Sequence, residues 1–311
     1  MTSLVLTSSK FLDHDMGVGH PERPQRLAAI LRRLQAAALP GVTYEEPTPA
    51  PVAAVLANHT QEHVDRIRAL SESGGIRAVT ADTSVGPATW DAAMLASGGA
   101  LAAVDAVLAK RADNAFCLHR PPGHHAEREE AMGFCFFNHV AIAAHHLRSK
   151  GLERIAIIDW DVHHGNGTQS AFYDDADVFF FSVHQSPHYP GTGDASETGS
   201  NAGAETTLNV PIPAGLGDAD YATILTERLR PALEDFQPQF LLLSAGFDAH
   251  QLDPLGNMEV TQDGFAQCTE LVATMARDLC DGRLVSLLEG GYDLDATAGA
   301  VQAHLQVLSS Y

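Results

Sequence analysis

Asp159, Asp161 and His163 alternate through the string Asp159-Trp160-Asp161-Val162-His163. In an extended chain, residues two apart face the same way, so three polar side chains share one side of a strand end. Asp248 follows a separate apolar run, and a carboxylate beside a core needs a partner because an isolated buried charge is costly. A divalent cation held by Asp161, His163 and Asp248 would neutralise both carboxylates. It would also leave positions open for water and substrate, as a catalytic site requires. An Asp/His hydrogen-bond cluster that binds no metal satisfies the same spacing.

Sixteen histidines occur in 311 residues, and His119, His124, His125, His139, His145, His146, His163, His164, His184 and His188 fall in one stretch. His124 and His125 follow Pro122-Gly123 on a loop, from which both can face a pocket without ligating metal. Adjacent imidazoles suit proton transfer, since their ordinary pKa lies near working pH. Asp159 stands on the ligand-bearing strand end to orient one ring, and Asn166 lies a few residues further on. Tyr292 follows two glycines at another strand end, and its hydroxyl is a candidate donor to a developing oxyanion. Phe134, in Gly133-Phe134-Cys135, and Tyr189 are candidates to wall a narrow apolar channel. His145 and His146 fall off the apolar face of their helix and are expected to be solvated. His14, His59, His63 and His304 have no chemical context and are read as structural.

The elements that must carry these residues are short apolar runs: Leu4 to Leu6, Ala115 to Leu118, Ile155 to Ile158, Val178 to Val183, Leu208 to Val210, Phe240 to Leu243 and Leu284 to Leu288. They read as strands buried on both faces. Between them lie helical spacings such as Leu27, Ile30, Leu31, Leu34 and Val140, Ala143, Ala144, Leu147. The alternation predicts an α/β chain with a largely parallel sheet and helices on both sides, over a single domain, residues 1–311. Ligands of such sheets bind beyond the carboxyl ends of the strands, where the candidate residues cluster.

Composition narrows the function. Lysine plus arginine number 19 against 39 acids, a net charge of −20, which disfavours a surface built for nucleic acid or anionic membrane. Cys117, Cys135, Cys268 and Cys280 form no CxxC pair and sit among apolar neighbours, as buried thiols of a reducing compartment do. The N-terminus lacks signal-peptide features, and apolar stretches such as Phe240 to Leu243 are far below the ~20 residues of a membrane span. A cytoplasmic protein is expected.

Several strings together resemble one known family: His20-Pro21-Glu22-Arg23-Pro24, Arg120-Pro121-Pro122-Gly123-His124-His125, Gly133-Phe134-Cys135, Asp159-Trp160-Asp161-Val162-His163-His164-Gly165-Asn166-Gly167, Ser182-Val183-His184, Ser244-Ala245-Gly246-Phe247-Asp248, Asp253-Pro254-Leu255-Gly256 and Glu289-Gly290-Gly291-Tyr292. They are similar to the zinc-dependent deacetylases, which include histone deacetylases and acetylpolyamine amidohydrolases, and look like the class II branch. The resemblance implies the three-layer arginase/deacetylase fold with an eight-stranded, mainly parallel sheet, and hydrolysis of an acyl amide. It implies zinc ligation by Asp161, His163 and Asp248, with ferrous iron compatible with the same donors. It pairs His124 with Asp159, leaving His125 as general base and then acid, and makes Tyr292 the residue that polarises the carbonyl. It puts Gly133, Phe134 and Tyr189 in an acyl-lysine tunnel, Leu255 at its rim, Asp82 near where substrate backbone is held, and Arg26 in an internal cavity. It also implies a potassium ion near Asp159, Asp161, His163, Ser182 and Val183.

Departures from the family pattern bear on substrate. Asn166 stands where many relatives have aspartate, and Tyr189 where phenylalanine is common. Leu255 occupies the place of the glutamate gatekeeper of a polyamine-selective relative, which weakens a polyamine reading. The sequence therefore reads as a metal-dependent amidohydrolase acting on acylated protein or small-molecule amines, acyl-lysine foremost. A pocket that binds acyl groups without turnover would be expected to lack Tyr292 or a paired histidine, and neither is lost. An arginase-like ureohydrolase would need further carboxylates for a second metal.

Overall fold

The computed structural model describes residues 2–311. Its sheet has eight strands: β1 (Ser3–Leu6), β2 (Val42–Glu45), β5 (Asn114–Cys117), β6 (Ile155–Asp159), β7 (Val178–Gln185), β8 (Thr207–Ile212), β9 (Phe240–Ala245) and β10 (Leu284–Leu288). They lie in the order β2-β1-β5-β10-β9-β6-β7-β8, every pairing parallel. A two-residue pair, β3 (Arg77–Ala78) and β4 (Ser84–Val85), forms a separate antiparallel ribbon. The apolar runs of the sequence are seven of the eight strands. The eighth, β2, has no buried residue and so leaves no apolar run to read.

Alternate strand residues feed two cores, as the pleat requires. Val5, Phe116, Ile158, Leu243 and Leu288 pack on one face with α1 (Gln25–Ala37), α9 (Gln262–Cys280) and α10 (Leu294–Ser310). Leu4, Cys117, Ile157, Leu242 and Leu287 pack on the other with α4 (Thr89–Leu108) and α5 (His139–Ser149). Phe116 is fully buried, and truncating such a phenylalanine to alanine costs about 3–5 kcal/mol. Three layers with both sheet faces covered explain why the strands read as continuous apolar runs rather than alternating ones.

Two sequence expectations need correction. Helix α4 is long and apolar enough to cross a membrane by length and composition, so Phe240 to Leu243 is not the relevant test segment; 78% of the α4 window is buried inside the protein, as in a core helix. Its alanines and glycines had masked the run. His145 and His146 are half-buried rather than solvated. The His145 ring packs on Phe172 at 5.1 Å, and His146 Nε2 lies 3.0 Å from Asp105. His14, His59, His63 and His304 are buried in the interior.

Four central strands, β5, β10, β9 and β6, are consecutive neighbours in the sheet. The loops that follow them carry His124 and His125, Tyr292, Asp248, and Asp161 with His163. Adjacent parallel strands end at the same level, so residues distant in sequence meet at one edge.

Candidate active site

Asp161, His163 and Asp248 offer ligand atoms that all lie within 4.8 Å of one another. His163 Nδ1 is 3.0 Å from Asp161 Oδ1 and 3.1 Å from Asp248 Oδ2. The backbone holds both carboxylates in place: Gly290 N–H donates to Asp161 Oδ2 at 2.8 Å, and Val162 N–H donates to Asp248 Oδ1 at 2.8 Å. Burial disfavours charge on His163, but hydrogen bonds to Asp161 and Asp248, together with their negative charge, outweigh it and push its pKa up to about 10. Burial raises the Asp248 carboxyl, and the neighbouring Asp161 adds to the rise. Two carboxylates that draw a proton onto an imidazole between them present a field that equally favours a divalent cation, and the donor set suits one.

The paired histidines have different partners. His124 Nδ1 donates to Asp159 Oδ2 at 2.9 Å, and His125 Nδ1 meets Asn166 Oδ1 at 2.8 Å. Their rings are 4.0 Å apart. Burial lowers the pKa of both. Around His124 the charges of Asp159, Asp161 and Glu289 reverse that effect and hold it well above the usual histidine range. His125 has a neutral amide instead, and the positive neighbours His124 and His163 add to burial, so it lies well below that range. One imidazole is kept charged and the next kept neutral, the division of labour general acid–base chemistry uses.

Tyr292 is buried, and burial holds its phenol well above the ordinary range, so the hydroxyl remains a donor. Its ring lies 4.7 Å from the Arg26 guanidinium. Arg26 Nε donates to Gly291 O at 2.5 Å, Nη2 to Glu289 O at 2.6 Å and Nη1 to Glu22 at 3.0 Å, so this arginine ties down the backbone on either side of Gly290 and packs beneath Tyr292.

A cavity of about 250 Å³ leads to this cluster, lined by Asp82, His125, Gly133, Phe134, His163, His188, Tyr189, Leu255 and Tyr292. Every tunnel residue expected from the sequence is among them. The Tyr189 ring stands edge-on to His125 at 5.1 Å, and the Phe134 ring edge-on to Tyr292 at 5.8 Å. Gly133 has φ +54°, and a Cβ there would come within 2.2 Å of His125 Cδ2, so a side chain is excluded. Phe134 also adopts a left-handed φ of 70°, and its N–H donates to Thr83 Oγ1 at 2.9 Å. Burial raises the Asp82 carboxyl, but hydrogen bonds from Thr80, Thr83 and Tyr189 prevail and hold it below its ordinary value. Ser182 stands opposite Asp159 in the β6/β7 register, next to buried Val183, and its hydroxyl is 2.9 Å from His184 Nδ1.

Some site residues escaped the sequence reading as individuals. Glu289, fully buried, accepts from Gly123 N–H at 2.7 Å and His124 N–H at 3.2 Å, and burial pushes its carboxyl up to about 7. His188 stacks on His163 at 4.9 Å and lies 2.8 Å from Leu255 O through Nε2. Asp253 and Glu127 bind site loops from behind. Asp253 belongs to a motif visible in sequence and Glu127 to none, and the roles of both depend on contacts that only the fold creates. Gly290 is legible in sequence only as backbone freedom; a Cβ there would meet Asp248 Oδ2 at 2.0 Å.

Known proteins agree with this geometry. The histone deacetylase domain family matches residues 20–308. A probable deacetylase of Archaeoglobus fulgidus is 42% identical over 95% of this chain and 82% of its own length. A histone deacetylase-like amidohydrolase of Pseudomonas aeruginosa is 39% identical over 93% of this chain and 77% of its own. The polyamine deacetylase HDAC10 of Homo sapiens is 39% identical over 92% of this chain, which spans 44% of that protein. The crystal structure of the HDA15 HD domain superposes with a TM-score of 0.95 at 37% identity, covering 99% of this chain and 90% of that one. A parallel eight-stranded sheet, paired imidazoles over an Asp/His/Asp cluster and a family match across nearly the whole length lead to one statement: the chain belongs to the histone deacetylase family.

Proposed function

We propose that the protein is a zinc-dependent deacetylase that hydrolyses the acetyl amide of N-acylated amines, acyl-lysine side chains foremost. The observation that carries this is the meeting of Asp161 and Asp248 with His163, which lines an apolar cavity, beside one charged and one neutral imidazole.

A divalent ion held by Asp161, His163 and Asp248 supplies Lewis-acid activation of water and of the acyl carbonyl. His125 is the neutral base that takes the proton from the attacking water through Nε2, since its Nδ1 faces Asn166. Tyr292 donates its hydroxyl hydrogen bond to the carbonyl oxygen as negative charge develops there. His124, kept cationic by Asp159, adds positive charge on the same side. The proton held by His125 then passes to the leaving amine nitrogen as the C–N bond breaks, giving acetate and free amine. Phe134 and Tyr189 flank the alkyl chain and exclude water from it. The same reading gives potassium a place near the main chain of Asp159, Asp161 and His163 and near Ser182 and Val183; the alignment of Asp159 with Ser182 across β6 and β7 supports it.

The apolar Leu255 at the rim favours acyl-lysine. The name of the human relative makes acetylpolyamines the second reading. The test compares acetate release from an acetyl-lysine peptide and from N-acetylspermidine, before and after chelation, with bound metal quantified. Activity lost on chelation and restored by zinc is expected; full activity in metal-free protein would refute the reading.

A further inference from the structure

Behind the His125 ring runs a hydrogen-bond chain of which the mechanism above uses only the first link. Asn166 Oδ1 meets His125 Nδ1 at 2.8 Å, and Asn166 Nδ2 donates to Glu127 Oε1 at 2.7 Å. The remaining contacts of Nδ2, to His125 O and Met132 Sδ, are longer at 3.4 Å. The two ends of a primary amide have nearly the same shape, so its partners decide which end points where. A carboxylate only accepts, so Glu127 selects the NH2 end of Asn166 and turns the carbonyl toward His125. That carbonyl needs an N–H on His125 Nδ1, which leaves the lone pair on Nε2. The reversed amide would set a carbonyl against a carboxylate and put the ring proton on Nε2, where no base could then act.

We propose that Glu127 is a positioning residue: through the amide of Asn166 it holds His125 in the tautomer whose Nε2 receives the proton. This rests on the reading of His125 as the base. Glu127 does not line the substrate cavity. It borders a hollow on the far side, shared with Asn166, Met132 and Thr192. Substrate binding is therefore untouched by its loss, and the effect falls on turnover.

The test uses the full chain loaded with zinc, an acetyl-lysine peptide and five variants. Glu127→Leu is expected to lower kcat about 10–100-fold, the range for groups that orient active-site ligands from behind, with KM and metal content unchanged. Glu127→Gln, whose carbonyl still accepts, restores most of that loss. Asn166→Asp sets two carboxylates against each other and lowers kcat, and adding Glu127→Gln to it recovers activity. Wild-type kcat in Glu127→Leu would overturn the proposal. So would equal loss in the Leu and Gln variants, or a double variant no better than Asn166→Asp. His125→Ala separates the two readings: if it keeps wild-type turnover, the base assignment itself fails, whereas an inactive His125→Ala beside a fully active Glu127→Leu removes Glu127 alone.

Discussion

The Asp253 carboxylate accepts the backbone N–H of Tyr292 at 2.6 Å. Its other oxygen accepts the N–H of Leu255 at 2.9 Å, so one side chain ties together two residues that line the cavity. Burial and the nearby charge of Asp248 push the Asp253 carboxyl up to about 7. The carboxylate is thus a joint between two loops that come from β9 and β10.

Removing that joint should disturb binding and turnover together. Asp253→Ala frees Tyr292 and Leu255 at once, so kcat should fall and KM rise in the same variant. Steady-state kinetics on an acetyl-lysine peptide check this; a change confined to KM would show that Tyr292 keeps its position without Asp253.

Tyr292→Phe removes only the hydroxyl. Loss of one donor to a developing oxyanion costs about 10²–10³ in kcat, and the Asp161, His163 and Asp248 cluster is left intact. Single-turnover rates and metal analysis on the same sample decide the matter. Wild-type rates would remove Tyr292 from the chemistry.

Much of this site could be read from sequence because its signals are local. The i, i+2 spacing marks Asp159, Asp161 and His163 in sequence, but β6 ends at Asp159, and a bend in which Asp161 N–H donates to Asp159 Oδ1 at 3.1 Å and His163 N–H to Asp161 Oδ1 at 2.9 Å replaces the expected extended chain. The adjacency of His124 and His125 needs no tertiary information. Asp253, Glu289 and Glu127 were harder, because each acts by accepting backbone or amide N–H groups from loops that only the fold brings near. In the same way β2 pairs at the sheet edge with no buried residue, so hydrogen bonding to β1 defines it and hydrophobic pattern does not. His145 was misread because Phe172, which covers it, lies on a different helix, α6 (Asn166–Phe172).

Metal retention isolates the ligand set. Asp248→Ala leaves His163 with one carboxylate partner and opens one corner of the cluster. Zinc per chain after gel filtration should fall to background and activity with it. Stoichiometric zinc in this variant would exclude Asp248 as a ligand.

Gly133→Ala tests the fit of the loop against His125. A methyl at that position would lie 2.2 Å from the ring, on a backbone with φ +54°, so the imidazole must move. A displacement of about 1 Å in a reacting group can cost 10² in rate, and kcat should fall on that scale with zinc content unchanged. An alanine variant with wild-type kcat would mean that the ring has room the geometry does not show.

Acid sensitivity should come in part from histidines that do not line the active-site cavity. Burial lowers His59 and His304 to about 3, against an ordinary value of 6.5. Between those values the unfolded chain binds a proton at each position and the folded chain does not. Stability is therefore complete above pH 6.5 and falls as pH drops toward 3, by about 1.4 kcal/mol per pH unit for each histidine. His304 lies 2.7 Å from Thr269 Oγ1 and 3.1 Å from Ser286 Oγ, with no carboxylate bonded to it, so nothing offsets the cost of charging it. The melting temperature of His304→Gln should accordingly start lower than wild type at pH 7.5 and decline less steeply between pH 6.5 and 4. Parallel curves for the two proteins would mean that His304 titrates normally in the folded state.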